Sequence, residues 1–153
     1  MEELKYFAHY MEKALEQAET AKSINETPVG CVIVENGKII AAGYNRRESD
    51  QSALAHAEIK AIQTACEKIG YWRLTKCDLY VTLEPCPMCA GAIINARIKR
   101  VIFGAFDKKA GAFGGVINLN EYPLNHKPEI ISGILADRAG FILSDFFAGL
   151  RRK

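Results

Sequence analysis

The feature that most constrains the fold is an alternation of helical and strand patterns along the chain. Residues 2–22 carry apolar side chains at intervals of three and four, which predicts an amphipathic helix. The run VGCVIVENGKIIAAGYN then holds two β-rich stretches around Asn36-Gly37, a dipeptide that favours a tight type I′ turn. We therefore expect a β-hairpin over about residues 29–44.

The rest of the chain continues the same alternation. Periodicity and turn signals predict helices at 53–69, from Pro85 to about Ala96 and at about 135–150, and strands at 77–83, 100–105 and briefly at EIIS. Residues 106–127 show little periodicity and are predicted to form a long loop, which in such domains often carries function. This order predicts an α/β sandwich with helices on both faces of the sheet.

Composition sets further limits. With 153 residues, 49% of them hydrophobic and 25% charged, the chain suits one domain over residues 1–153 with its own core. No apolar run approaches the roughly 20 residues that span a membrane, and five cysteines spread through apolar segments indicate a reducing cytoplasm. The net charge is only +2, but basic residues cluster at 45–47, 107–109 and 150–153, and such clusters are often ordinary solvated surface.

The segment TLEPCPMCAGA carries Cys86 and Cys89 between a predicted strand and a predicted helix. Such a pair can be a redox dithiol, half of a structural zinc site or part of a catalytic zinc site. Thirty residues earlier stands HAE, which contains His56. Catalytic zinc takes three protein ligands and leaves a fourth position for water. His56, Cys86 and Cys89 supply three, and both cysteines fall in a first helical turn, which favours thiolates.

Glu58, the last residue of HAE, would turn this metal site into a reaction centre. Side chains two apart on a regular helix point nearly opposite ways, so His56 and Glu58 can serve one site only if His56 lies at the irregular start of the helix. Glu58 would then act as an acid/base and not as a ligand. Redox chemistry fits less well, because a glutaredoxin-like fold places its dithiol after a first strand near the N-terminus. A closed structural site would need a fourth ligand from Cys66, Cys77, His9 or His126.

The combination of H-x-E and P-C-x-x-C is the signature of zinc nucleobase deaminases. Together with VIFGA, GILAD and the Asn125-His126 pair, it makes nearly the whole chain resemble the bacterial tRNA-specific adenosine deaminases, a family of that superfamily. The resemblance implies a three-layer α/β/α sandwich with a central five-stranded mixed sheet of the cytidine deaminase type. It also implies hydrolytic deamination of the wobble adenosine to inosine in a tRNA anticodon loop. Since the zinc motif is shared, a deaminase of free guanine or cytosine remains the alternative.

The same resemblance implies the roles of the reacting groups. His56, Cys86 and Cys89 would hold one Zn²⁺ per subunit, which makes hydroxide available at neutral pH. Glu58 would take a proton from the attacking water, pass it to the ring and protonate the departing ammonia. Backbone amides near Ala57 and Cys86 would bind the edge of the base. Members of the family are homodimers, with the partner subunit helping to shape the RNA site.

Further residues are implied to bind the substrate. Asn45 would hold the base or its ribose, and Val29 and Leu83 would line the pocket. The implied RNA contacts are Arg46, Asp107, Asn125, Phe147 and Arg151, with Arg152 beside them and Arg47 and Lys109 as weaker candidates. Aromatic faces hold unstacked bases and cations hold phosphates, whereas Phe146 is expected in the core. One position departs from the family pattern, since Ala110 stands where a threonine is common.

Overall fold

The computed structural model describes residues 2–152, which form a five-stranded sheet between two layers of helices. The helices are α1 (Glu2–Ser23), α2 (Arg47–Asp50), α3 (Ala57–Ile69), α4 (Pro87–Asn95) and α5 (Ala136–Arg151). The strands are β1 (Gly30–Glu35), β2 (Lys38–Tyr44), β3 (Cys77–Leu83), β4 (Arg100–Ala105) and β5 (Glu129–Ile131), and a 3₁₀ turn spans Leu119–Glu121.

The sheet is mixed, with the strand order β2-β1-β3-β4-β5. β1 pairs antiparallel with both β2 and β3, whereas β3 with β4 and β4 with β5 are parallel pairs. The β1–β2 connection turns at Asn36 and Gly37, whose φ angles of 52° and 76° are the positive values that a type I′ turn requires. The predicted hairpin and the mixed five-stranded sheet are therefore confirmed.

Each face of the sheet packs against its own pair of helices. On one face, alanines of α3 and Ile93 of α4 pack against Leu79, Val81 and Phe103 of the central strands. On the other face, Phe7 and Met11 of α1 and Ala139 of α5 pack against Tyr80 and Ile102. Alternate residues of β3 and β4 thus enter opposite cores, as the period of a strand dictates. The three-layer α/β/α sandwich is confirmed.

The element bounds agree closely with the sequence pattern, with three differences, one of which is that α4 begins at Pro87 and not at Pro85. β3 and β4 have the predicted limits, and β5 forms within EIIS. The second long helix begins at Ala57, not at residue 53, because His56 is extended (φ −81°, ψ 154°) and the residues before it form a turn. The four-residue helix α2 was not predicted. Phe146 is buried, as predicted, while Phe147 is exposed.

Among the helices of residues 2–152, none combines the length and the apolar character needed to cross a membrane. The predicted loop at 106–127 contains the 3₁₀ turn and an isolated bridge between Phe113 and Asn118. Two of its residues, Ala112 and Phe113, are buried in the core beneath α3 and α4. The loop is therefore anchored to the body of the protein at its middle.

Candidate active site

Two helix N-termini meet at the edge of the sheet where β3 ends. His56 is the residue before α3, and Cys86 is the residue before α4, with an extended backbone at both positions. Cys89 follows in the first turn of α4, which Pro87 opens. Because His56 lies outside the regular helix, its ring and the Glu58 side chain can approach the same space. The irregular helix start that the sequence argument required is present.

The ligand atoms of His56, Cys86 and Cys89 all lie within 4.8 Å of one another. The Nδ1 atom of His56 is 3.7 Å from the Sγ of Cys86 and 3.5 Å from the Sγ of Cys89. A tetrahedral zinc ion with ordinary Zn–S and Zn–N bonds separates sulfur from nitrogen by about 3.6 Å. The three side chains therefore fit a zinc ion as they stand, with His56 binding through Nδ1.

The protonation of the two thiols suits a cation. Considering the protein groups alone, a hydrogen bond from Cys89 lowers the pKa of Cys86 to about 4, and His56 adds to this effect. The same hydrogen bond, together with burial, raises the pKa of Cys89. A hydrogen bond to Cys86 also raises the pKa of His56. One thiolate is thus present at neutral pH, and a binding metal ion releases the remaining proton.

Glu58 lies in the first turn of α3 with only 4% of its surface exposed. It does not belong to the group of three ligand atoms. Burial raises the pKa of Glu58 to about 7. A carboxyl with such a pKa can both accept and donate a proton at neutral pH, which is the property a proton carrier needs.

A cavity of about 220 Å³ opens directly above these groups. His56, Glu58 and Cys86 form its floor. The three residues that were predicted to hold or surround the base, Val29, Asn45 and Leu83, also line it, and so does Asp107, one of the predicted RNA contacts. Asn45 is itself buried and held by the backbone, since its Nδ2 donates to the carbonyl of Thr27 and its Oδ1 accepts from the N–H of Arg47.

The arginines at positions 46 and 47 have different surroundings. The guanidinium of Arg46 donates to the Asp50 carboxylate at 2.9 Å and to the Tyr44 hydroxyl, and it stacks over the Tyr44 ring. Arg47, the weaker candidate from the sequence, lines the cavity, whereas Arg46 is not among its lining residues. The sequence shows two adjacent arginines but not which one Asp50 engages.

The remaining predicted RNA contacts lie outside this cavity. Phe147 and Arg151 are exposed on α5. Asn125 lies beside Leu124 and Arg97 in a different surface depression. Its neighbour His126 hydrogen-bonds the carbonyl of Ile98, which precedes β4 and so lies at the opposite end of the sheet from the candidate ligands.

Comparison with known proteins identifies the family. A family model described as MafB19-like deaminase matches residues 7–151. The chain is 49% identical to the tRNA-specific adenosine deaminase of Bacillus subtilis (strain 168) over 145 residues, which cover 94% of this chain and 90% of that protein. The chain belongs to the tRNA-specific adenosine deaminase family. A member of this family from Streptococcus pyogenes serotype M1 is 44% identical over the whole of this chain and 89% of its own length.

Solved structures agree with the family and the fold. A chain from a study of A-to-I editing by tRNA:A34 deaminases at the wobble position superposes with a TM-score of 0.86 and 44% identity, covering 88% of this chain and 99% of its own. The guanine deaminase of Nitrosomonas europaea superposes with a TM-score of 0.77 and 27% identity, covering 90% and 82% of the two chains. Both structures are deaminases with this architecture. They confirm the family resemblance and the cytidine deaminase type of fold that the sequence predicted.

Proposed function

We propose that this protein hydrolyses the wobble adenosine of a tRNA anticodon loop to inosine and releases ammonia. The observation that carries the proposal is a buried Glu58 carboxyl beside the converging side chains of His56, Cys86 and Cys89, an arrangement suited to zinc-dependent deamination. The substrate follows from the 49% identity with the tRNA-specific adenosine deaminase of Bacillus subtilis along 94% of this chain.

His56, Cys86 and Cys89 would hold one zinc ion per subunit, as their donor atoms and spacing allow. When bound, zinc supplies a coordinated water whose pKa is lowered from the bulk value to near neutrality. The two converging helix N-termini of α3 and α4 stabilise the negative charge of the thiolates. With three protein ligands, one position stays open to water.

Glu58 carries the protons of the reaction. It accepts a proton from the attacking water and passes it to the ring nitrogen next to carbon 6 as the carbon–oxygen bond forms. The second proton of that water, now on the hydroxyl at carbon 6, goes through the same carboxyl to the amino group. The carbon–nitrogen bond then breaks, the carbonyl of inosine forms, and ammonia leaves. Burial raises the pKa of Glu58 to about 7, which suits a group that both accepts and returns a proton.

The cavity would receive one unstacked base. Asn45 presents its amide to the base or ribose from a fixed position, because backbone groups on either side hold it. Val29 and Leu83 form apolar walls, and Asp107 lies on the loop that closes the far side. We also propose that the backbone amides near Ala57 and Cys86 bind the edge of the base.

Around the cavity, Arg46, Phe147 and Arg151 would hold the rest of the anticodon loop. α5 runs beside α1 in the same direction, since Arg138 pairs with Glu12 and Asp145 pairs with Lys22. The C-terminal end of α5 therefore lies near the end of α1, on the side of the sheet where β1 begins and β3 ends. This brings the basic end of α5 towards the rim of the cavity and supports its assignment to RNA.

We further propose a homodimer that acts in the cytoplasm, with residues 1–153 as one deaminase domain. Exposed apolar side chains support an interface: Leu124 lies beside Ile94 of α4 and is 47% exposed, and Tyr122, two residues earlier in the chain, is 53% exposed. Asn125 adjoins them, so it would reach RNA bound to the other subunit and not its own cavity. The five cysteines are free, which suits a reducing compartment.

The experiment that tests the function compares substrates. Purified protein is incubated separately with an anticodon stem-loop carrying the wobble adenosine, with adenine, with guanine and with cytosine. We expect ammonia and inosine from the stem-loop only. The guanine deaminase of Nitrosomonas europaea, which shares the fold at 27% identity, makes a free-base activity the second candidate. Efficient release of ammonia from guanine or cytosine, with none from the stem-loop, would establish that candidate instead.

A charge variant tests the RNA surface separately. A free base needs only the cavity, whereas phosphates bind cations with strong salt dependence. The triple variant Arg46→Ala, Arg151→Ala, Arg152→Ala is therefore expected to raise the KM for the stem-loop and to weaken its dependence on salt, with zinc content unchanged. Normal processing of the stem-loop by this variant would remove these residues from the RNA site.

A further inference from the structure

Glu84 is a buried carboxylate for which the reaction has no use. It follows β3 and precedes Pro85 and Cys86, and only 2% of its surface is exposed. Within residues 2–152 it forms no ion pair with a basic side chain. A buried charge without a cation is costly unless hydrogen bonds compensate it. The compensation comes from the loop that forms one wall of the cavity.

Three backbone N–H groups of that loop donate to the Glu84 carboxylate. The N–H of Asp107 donates to Oε1 at 2.9 Å, while the N–H groups of Phe113 and Gly115 donate to Oε2 at 2.9 and 2.8 Å. The loop thus forms a concave array of amides of the kind that binds anions, filled by the protein's own carboxylate. Hydrogen bonds to an ionised acceptor are about twice as strong as neutral ones.

The loop fits around Glu84 so closely that side chains are excluded beside it. A Cβ atom at Gly111 would lie 2.2 Å from Oε1 of Glu84, and one at Gly115 would lie 2.3 Å from the same atom. Both distances are well below any real carbon–oxygen contact. The two glycines therefore allow the backbone to approach the carboxylate directly.

The same contacts determine where the cavity wall lies. Asp107 and Ala110 both line the cavity, and the Asp107 carboxylate in turn accepts the N–H groups of Lys109 and Ala110. The N–H of Ala112 donates to the carbonyl of Pro85, next to Glu84. One rigid tripeptide, Glu84-Pro85-Cys86, thus holds both the substrate wall and a candidate metal ligand.

We propose that Glu84 is a positioning residue that holds the loop of residues 107–115 as a preformed wall for the substrate, in a fixed place relative to the reacting groups. Glu84 also lines the cavity, but its two oxygens are occupied by the loop amides, so it acts through Asp107 and Ala110. Its removal should therefore weaken substrate binding more than it slows the chemical step. The kinetic part of this inference rests on the proposed function.

The test uses Glu84→Gln in the zinc-loaded protein, with Glu121→Gln as the matched control. Glutamine keeps the length of the side chain but offers one acceptor oxygen, so in either orientation its NH₂ group faces an N–H donor of the loop. Glu121 is an exposed residue of the same loop region, outside the cavity, so its variant carries the same change of charge without these contacts.

Two readouts separate positioning from folding. In Glu84→Gln we expect the KM for the stem-loop to rise about tenfold while kcat per bound zinc stays within about threefold. Amide exchange at residues 107, 113 and 115 should become at least about tenfold faster, with β3 and β4 unchanged. Glu121→Gln should resemble the wild type in both. A loss of zinc with unchanged KM and unchanged exchange would overturn the proposal, and so would wild-type exchange at these three amides.

Gly111→Ala provides an independent route if Glu84→Gln folds poorly. It retains the carboxylate but forces the loop away from it, so the same rise in KM and the same faster exchange are expected. A wild-type KM in Gly111→Ala would contradict the proposal. If the wild type deaminates guanine and not the stem-loop, the proposed function is wrong. The exchange measurement and a KM for guanine then still decide whether Glu84 positions the wall.

Discussion

Replacing Glu58 with glutamine separates proton transfer from metal binding. Glutamine keeps the size of the side chain but cannot accept and return a proton. A positioned acid/base group typically contributes about 10²- to 10⁴-fold to the rate. Two other carboxyl groups line the cavity and could in principle replace it. However, Glu84 accepts three backbone N–H groups, and Asp107 accepts two from its own loop. Both oxygens of Glu84 are occupied, and Oδ1 of Asp107 fixes that side chain to its own loop, so we expect the upper end of the range.

We therefore expect kcat of Glu58→Gln to fall by about 10⁴, which corresponds to roughly 5 kcal/mol of transition-state stabilisation. Zinc content should remain at the wild-type level, because Glu58 is outside the ligand group. Single-turnover conversion of adenosine to inosine in a stem-loop gives the rate, and elemental analysis gives the zinc. Loss of zinc would make Glu58 a ligand. A rate within tenfold of wild type would show that another group carries the proton, and either result would refute the assignment.

Three further predictions concern the metal, the cavity rim and pH. Cys86→Ala and Cys89→Ala should each lose the metal, seen by elemental analysis as a fall from about one zinc per chain; full retention by both would contradict the ligand assignment. Arg47→Ala should raise the KM for the stem-loop more than Arg46→Ala, because Arg47 lines the cavity and Arg46 also pairs with Asp50; the reverse order would show that Arg46 is the stronger RNA contact. Burial alone would raise the pKa of Glu26, but hydrogen bonds from residues 48 and 49 lower it below the usual value of a glutamate. That stabilisation is present above the usual pKa of a glutamate and is lost as the pH falls through the lowered pKa. The protection of the Ser49 amide relative to its intrinsic exchange rate should therefore fall in acid, and Glu26→Gln should abolish this pH dependence.

The parts of the fold that the sequence predicted well are those with local causes. β3 and β4 are short apolar runs between turn signals, and their bounds were correct. The hairpin turn at Asn36-Gly37 depends on two residues that tolerate positive φ. The order of such elements was enough for the three-layer arrangement. The candidate metal ligands were also recognisable, because His56, Cys86 and Cys89 lie at two helix starts that the sequence indicates.

The parts that escaped prediction have distant causes. Residues 53–56 contain good helix formers, yet they turn and leave His56 extended, so tertiary structure overrides local propensity there. Arg47 faces the cavity because the Glu26 carboxylate, about twenty positions earlier, accepts hydrogen bonds from the N–H groups of the next two residues, 48 and 49. The role of Glu84 depends on amides 23 to 31 residues further along the chain. No local pattern carries such information, although an acidic residue inside an otherwise apolar stretch, as in TLEPC, is a signal worth noting.

Both walls of the cavity are held by a buried carboxylate that accepts backbone N–H groups. Glu26 accepts the N–H groups of residues 48 and 49 beside Arg47, and Glu84 accepts those of the loop that carries Asp107. Only 2% of the surface of each of these two residues is exposed. If a loop moved away and no water replaced its amides, the buried charge would be strongly unfavourable. Opening either wall therefore requires solvent to enter, so the closed arrangement exists before substrate binds. A base then meets walls already in place, and little ordering entropy is lost on binding.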